Sequence, residues 1–129
     1  MINEVFIVDG VRTAIGSFGG SLSSKTPIEL ATLVTKAALN ESKVNAKDIG
    51  HVTFGHVINT EPRDMYLSRV AAIEAGIPNS VSAMNVNRLC GSGAQAIISI
   101  VQSLMLGETQ LGVAGGAESM SRSPYILNT

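Results

Sequence analysis

The stretch Asn87-Arg88-Leu89-Cys90-Gly91-Ser92-Gly93 sets the only cysteine of the chain between an apolar run and a long uncharged segment. A thiolate is a strong nucleophile, and it needs a setting that favours its negative charge. A helix that starts at or just after Cys90 supplies one, because its first backbone N–H groups have no internal partners and its dipole favours an anion there. The same N–H groups can receive an oxygen on which charge develops. Gly91 and Gly93 carry no side chain, so a substrate carbonyl can come close to the backbone. These residue types in this order point to acyl transfer onto Cys90, with Asn87, Gly91, Ser92 and Gly93 as candidates for shaping the turn and its oxyanion site. A lone cysteine is also commonly an inert, buried small hydrophobe. Residue type and position leave both readings open.

Other candidates carry less. Gly91-Ser92-Gly93 is only G-x-G, without the third glycine and later acidic residue of a dinucleotide site. His51 and His56 are five apart, so on a strand they face opposite sides and make no metal pair. No metal site is expected. Neither G-x-S-x-G nor H-E-x-x-H occurs.

The elements that must position Cys90 alternate. Val5-Phe6-Ile7-Val8 reads as a strand covered on both faces, and Gly10 to Ser24 as a Gly/Ser-rich loop. Thr26 is a candidate N-cap, with Pro27 at N1 and Glu29 at N3 to complete a capping box. Leu30, Leu33, Val34, Ala37 and Ala38 then follow at helical spacing as its apolar face. A strand is expected over His51 to Ile58, and a helix over Arg63 to Ala75, ended by Gly76 and Pro78. A third strand fits Val81 to Val86, a third helix Cys90 to about Gly107, and a fourth strand Gln110 to Ala114. The expected fold is therefore α/β, βαβαβαβ with a mainly parallel sheet. The third helix is apolar nearly all round, which predicts burial between layers.

Composition limits the partners. Of 129 residues, 45% are hydrophobic and 15% charged, so the chain should bury faces that a free-standing domain would charge. A formal net charge of −1 gives no nucleic-acid footprint. Leu89 to Gly107 holds no charged side chain, yet Gln95, Ser99, Gln102 and Ser103 interrupt it. That predicts a helix inside protein rather than a membrane span. No signal peptide is expected, and one cysteine suits a reducing, cytoplasmic compartment. The ending Tyr125-Ile126-Leu127-Asn128-Thr129 reads as interrupted rather than finished.

Three ordered blocks carry a family resemblance. Val86-Asn87-Arg88-Leu89-Cys90-Gly91-Ser92-Gly93-Ala94-Gln95-Ala96-Ile97 resembles the acyl-enzyme signature of thiolases. The segment from Val11 to Leu22 resembles the loop after the family's first strand, and Gly115 to Tyr125 the block leading into its loop domain. Thr60 to Ala72 is similar to the broad-specificity β-ketothiolases of polyhydroxyalkanoate-making bacteria.

The resemblance implies a ping-pong condensation of two acetyl-CoA, or acetyl-CoA plus a short acyl-CoA, to a 3-ketoacyl-CoA, and the reverse thiolysis, through acyl-Cys90. It implies no cofactor, coenzyme A thioesters as substrates, and a homo-oligomer, dimer or tetramer, in which the strand at Val81–Val86 pairs across subunits. It divides the chain into an N-terminal domain, 1–116, lacking its last strand, and the start of a loop domain, 117–129. The family's general-base histidine and second cysteine belong to its C-terminal half and have no counterpart here, so the chain alone is expected to be inactive. Two other readings are a non-catalytic thiolase-like module and a degradative 3-ketoacyl-CoA thiolase.

Overall fold

The computed structural model describes residues 4–128. Strands β1 (His51–Gly55), β2 (Ser82–Val86) and β3 (Gly112–Gly116) form one parallel sheet in the order β2-β1-β3. His51 pairs with Ser82 on one side and with Gly112 on the other. Around the sheet lie helices α1 (Pro27–Ser42), α2 (Leu67–Glu74) and α3 (Ser92–Leu106). The α/β class and the parallel sheet are as expected, and three strands stand where four were expected.

Side chains alternate between the faces of a strand. From β1, Val52 and Phe54 enter a core with Ile28 and Ala31 of α1 and Leu67, Ala71 and Ala72 of α2. Gly55 faces the other way, where an added Cβ would collide with the backbone of Ser92. On that same face a Cβ at Gly112 would meet Ile100 of α3. The sheet is thus a layer between α1 with α2 on one face and α3 on the other, and β1, its middle strand, is buried from Val52 to Gly55.

The start of α1 is built as its sequence predicts. Glu29 N–H donates to Thr26 Oγ1 at 3.1 Å, and Thr26 N–H donates to Glu29 Oε2 at 2.8 Å. The face it buries differs from the expected one. Ile28, Ala31, Thr32 and Thr35 are buried, whereas Leu33 is 59% exposed. Thr32 and Thr35 can be inside because their hydroxyls donate, to Glu74 Oε2 and to the Ala31 carbonyl. Leu30, Val34 and Ala38 instead line a cleft of about 1020 Å³.

That cleft also accounts for the missing strand. Residues 4–13 line it together with β3 and with Ile97, Val101 and Leu104 of α3. Val5–Val8 therefore reaches no neighbour to share a ladder with, and Phe6 and Ile7 are 75% and 81% exposed. An apolar run becomes a strand only when another backbone lies within about 4.8 Å.

Smaller shifts follow local chemistry. The second helix opens as a 3-10 turn, Pro62–Tyr66, and is α-helical only from Leu67. It stops where predicted: Gly76 has φ +90°, and Ile77 N–H donates back to the Ala72 carbonyl. The third helix starts at Ser92, just after Cys90 as expected, but it is not buried between layers. Ser92, Ala96 and Ile100 are its buried residues, while Ile97, Ile98, Met105 and Leu106 are 43–76% exposed. Its apolar girth anticipates a second covering layer, and the described residues supply only the sheet. Leu89–Leu106 is apolar enough to qualify as a membrane span by composition, but the helix within it has 15 residues, about 22 Å, against a hydrocarbon core of about 30 Å.

Candidate active site

Past Val86 the chain leaves β2 and turns into α3 through five residues, 87–91. Leu89 N–H donates to Asn87 Oδ1 at 3.0 Å, a side-chain turn that bends the chain immediately after the strand. Leu89 then takes φ +51°, the left-handed region, at a cost of about 1–2 kcal/mol for a residue with a Cβ. Ser92 holds this strained residue in place. Its hydroxyl donates to the Leu89 carbonyl at 2.6 Å and accepts from the Arg88 N–H at 2.8 Å. Arg88 adds an outer brace from Nη1 to Gln95 Oε1.

Cys90 stands at the apex of the turn as an exposed free thiol. The helix N-cap is Gly91, so the cysteine lies one residue outside it. The N–H groups of Gly91 and Ser92 donate to the carbonyls of Arg88 and Leu89, and the Cys90 N–H takes no part in these turn bonds. Of the two glycines beside the thiol, Gly93 has open space where its Cβ would be, and Gly91 has only ordinary contact with the Arg88 carbonyl. They leave a free approach to the backbone.

The glycine that builds the site is Gly55. Only with no side chain there can the first turn of α3 sit directly on the carboxyl end of β1. At Gly116, the end of β3, an added Cβ would come no closer to Gly93 than 3.5 Å, an ordinary contact, so the restriction is specific to Gly55. The reading of the sequence missed this contribution. A strand-ending glycine at Gly55 was its available signal.

The histidines lie at opposite ends of β1. His51 opens the strand, and His56 follows its last residue and is buried. His56 Nδ1 is 2.8 Å from the Ala117 carbonyl and 2.9 Å from Glu118 Oε1, and Nε2 is 4.0 Å from Asp64 Oδ2. The segment after β3 is tied to the loop before α1 as well: Ser119 Oγ donates to the Lys25 carbonyl, and Gly19 N–H donates to Ser121 Oγ. The large cleft is elsewhere, with none of residues 87–93 in its lining.

Residues 5–129 match the N-terminal domain of thiolases. Over 126 residues the chain is 57% identical to beta-ketothiolase BktB of Cupriavidus necator, covering 98% of this chain and 32% of that protein. It is 40% identical to an acetyl-CoA acetyltransferase of the same organism, again over 98% of the chain and 32% of the relative. Among solved structures, human mitochondrial 3-ketoacyl-CoA thiolase in complex with CoA superposes with a TM-score of 0.94 at 36% identity, over 96% of this chain and 32% of that one. The Bacillus anthracis acetyl-CoA acetyltransferase gives 0.87 at 41% identity, over 95% and 31%. The chain belongs to the thiolase family. It spans about a third of the length of the curated relatives it matches.

Proposed function

We propose that this chain is the nucleophile-bearing part of an acyl-CoA acyltransferase, with Cys90 as the residue that carries the acyl group. The observation that carries the reading is the exposed thiol at the apex of a braced strand-to-helix turn, in a chain 57% identical to a β-ketothiolase. In the first half-reaction the Cys90 thiolate attacks the carbonyl carbon of acetyl-CoA, the C–S bond to coenzyme A breaks, and coenzyme A leaves as the thiol after taking up a proton. In the second, the α-carbon of another acetyl-CoA loses a proton and attacks the acetyl-Cys90 carbonyl. A C–C bond forms, the thioester to Cys90 breaks, and a 3-ketoacyl-CoA departs.

The Cys90 N–H is the candidate oxyanion donor, while Asn87, Gly91, Ser92 and Gly93 shape the turn around it. Thioester exchange of this kind calls for no cofactor, and coenzyme A thioesters are the substrates. The proton transfers need a base, and this chain has only His51 and His56, neither in a block resembling the family's histidine motif. Its one cysteine is the nucleophile itself, so the second cysteine is absent too. We assign residues 1–116 to the N-terminal domain and 117–129 to the beginning of the loop domain. In the longer protein the reading extends to a cytoplasmic homo-oligomer, dimer or tetramer, that supplies short 3-ketoacyl-CoA for polyhydroxyalkanoate synthesis.

The test begins with acetyl-CoA and intact-mass detection of an acetyl group on the protein. Acetylation is expected on the native chain and absent from Cys90→Ser. Equal acetylation of both removes Cys90 as the acyl carrier. With acetoacetyl-CoA and coenzyme A the chain alone is expected to show no turnover, because general acid–base help is worth about 10²–10⁴ in rate. Turnover that requires Cys90 would show that this chain needs neither missing residue.

A further inference from the structure

The reaction leaves unused a buried histidine between two carboxylates. His56 is 5% exposed and Asp64 fully buried, while the Glu118 side chain closes the group from outside at 32% exposure. The three come from separate elements. His56 follows β1, Asp64 belongs to the 3-10 turn before α2, and Glu118 follows β3. Each carboxylate holds the backbone of a loop. Glu118 accepts from the N–H groups of Val57 and Ile58 at 3.0 and 3.2 Å. Asp64 Oδ2 accepts from Thr60 N–H, Thr60 Oγ1 and Glu61 N–H at 2.7, 2.8 and 3.2 Å.

His56 stands where these two nests meet. Its Nδ1 faces two acceptors, the Ala117 carbonyl and the Glu118 carboxylate, so that nitrogen must carry the hydrogen. Its Nε2 lies 4.0 Å from Asp64 Oδ2, beyond hydrogen-bond distance, and both Nε2 and Asp64 Oδ1 are buried without a hydrogen-bond partner. The backbone of the same residue donates to the Val86 carbonyl at 3.1 Å, the last inter-strand bond before the Cys90 turn. Asp64's own carbonyl accepts from Asn85 Nδ2 of β2 at 3.0 Å.

We infer that His56 is a positioning residue, a clamp that joins the loop after β1 and the segment after β3 into one rim at the carboxyl edge of the sheet, beside the last residues of β2. This goes beyond acyl transfer and stands whether or not Cys90 carries an acyl group. The ring contacts the Ala117 carbonyl and the Glu118 carboxylate directly and lies 4.0 Å from the Asp64 carboxyl.

Two measurements on the purified, isotope-labelled protein test it. Ring nitrogen NMR of the native chain is expected to show hydrogen on His56 Nδ1. A ring protonated on Nε2 alone overturns the inference, and this result needs no variant to fold. Amide exchange is then compared for His56→Ala and His56→Asn. Loss of the ring is expected to speed exchange at Val57 and Ile58, whose acceptor Glu118 it holds, by roughly tenfold or more, with the β1 amides still protected. Asparagine places an amide N–H where Nδ1 was, so it should restore protection at Val57 and Ile58, while Thr60 and Glu61 stay protected by Asp64 throughout. Unchanged exchange in His56→Ala, or failure of asparagine to rescue Val57 and Ile58, would each sink the clamp.

Discussion

The Ser92 hydroxyl serves two backbone groups of the turn before Cys90, accepting one hydrogen bond and donating another. Removing it takes the side-chain partner from the Arg88 N–H and one of two donors from the Leu89 carbonyl, so Ser92→Ala should lower stability by about 0.5–1.5 kcal/mol in urea unfolding. Leu89 would then be free to leave its left-handed conformation. Gly55→Ala should cost about 1–3 kcal/mol or more, because the new methyl has only Ser92 backbone to displace. An unchanged urea midpoint in either variant would contradict this account of the turn. The nucleophile candidate was legible because Cys90 is alone and glycine-flanked, and those are local facts. Asn87 and Ser92 were named for the turn on the same local grounds, whereas the residues that support it from a distance were not legible. Gly55 acts on a helix that begins at Ser92, and His56 meets a carboxylate 62 positions further on, so neither pairing leaves a mark within any short window.

Among the elements, α1 was the most readable and gives the cleanest pH prediction. A hydrogen bond from the Thr26 N–H, helped by Lys25, holds the exposed Glu29 carboxyl below its ordinary value of 4.5. A folded value below the unfolded one means the contribution is fully present above pH 4.5 and fades as pH falls through the folded value. Helix content should therefore drop in that acid range in the native chain, and Glu29→Gln should flatten that part of the profile. The capping box was visible because all its parts lie within four residues. Which face α1 buries was not, since Thr32 and Thr35 look polar until their hydroxyl partners are known. Val5–Val8 was misjudged for the complementary reason: apolar content describes a willingness to pair, and pairing also requires a neighbour.

At the scale of the molecule, the sheet is covered on both faces while α3 has an apolar side with nothing on it. Exposed Ile98, Met105 and Leu106 on one helix form the kind of surface that drives association. Light scattering should show the isolated chain self-associating, and Ile98→Gln with Leu106→Gln should shift it toward monomer. A native chain that is already monomeric would refute that reading. The order β2-β1-β3 has one more effect, on how the protein is made. The middle strand is the first to be synthesised: His51 waits for Ser82 on one side and for Gly112 on the other. Throughout that interval Val52 and Phe54, the centre of the finished core, have no sheet to join. At about 5–20 residues per second the nascent chain carries this apolar strand unpaired for several seconds. Slow codons between Gly55 and Gly112 would lengthen that exposure, whereas slow codons after Gly116 would give the completed sheet time to close while still on the ribosome.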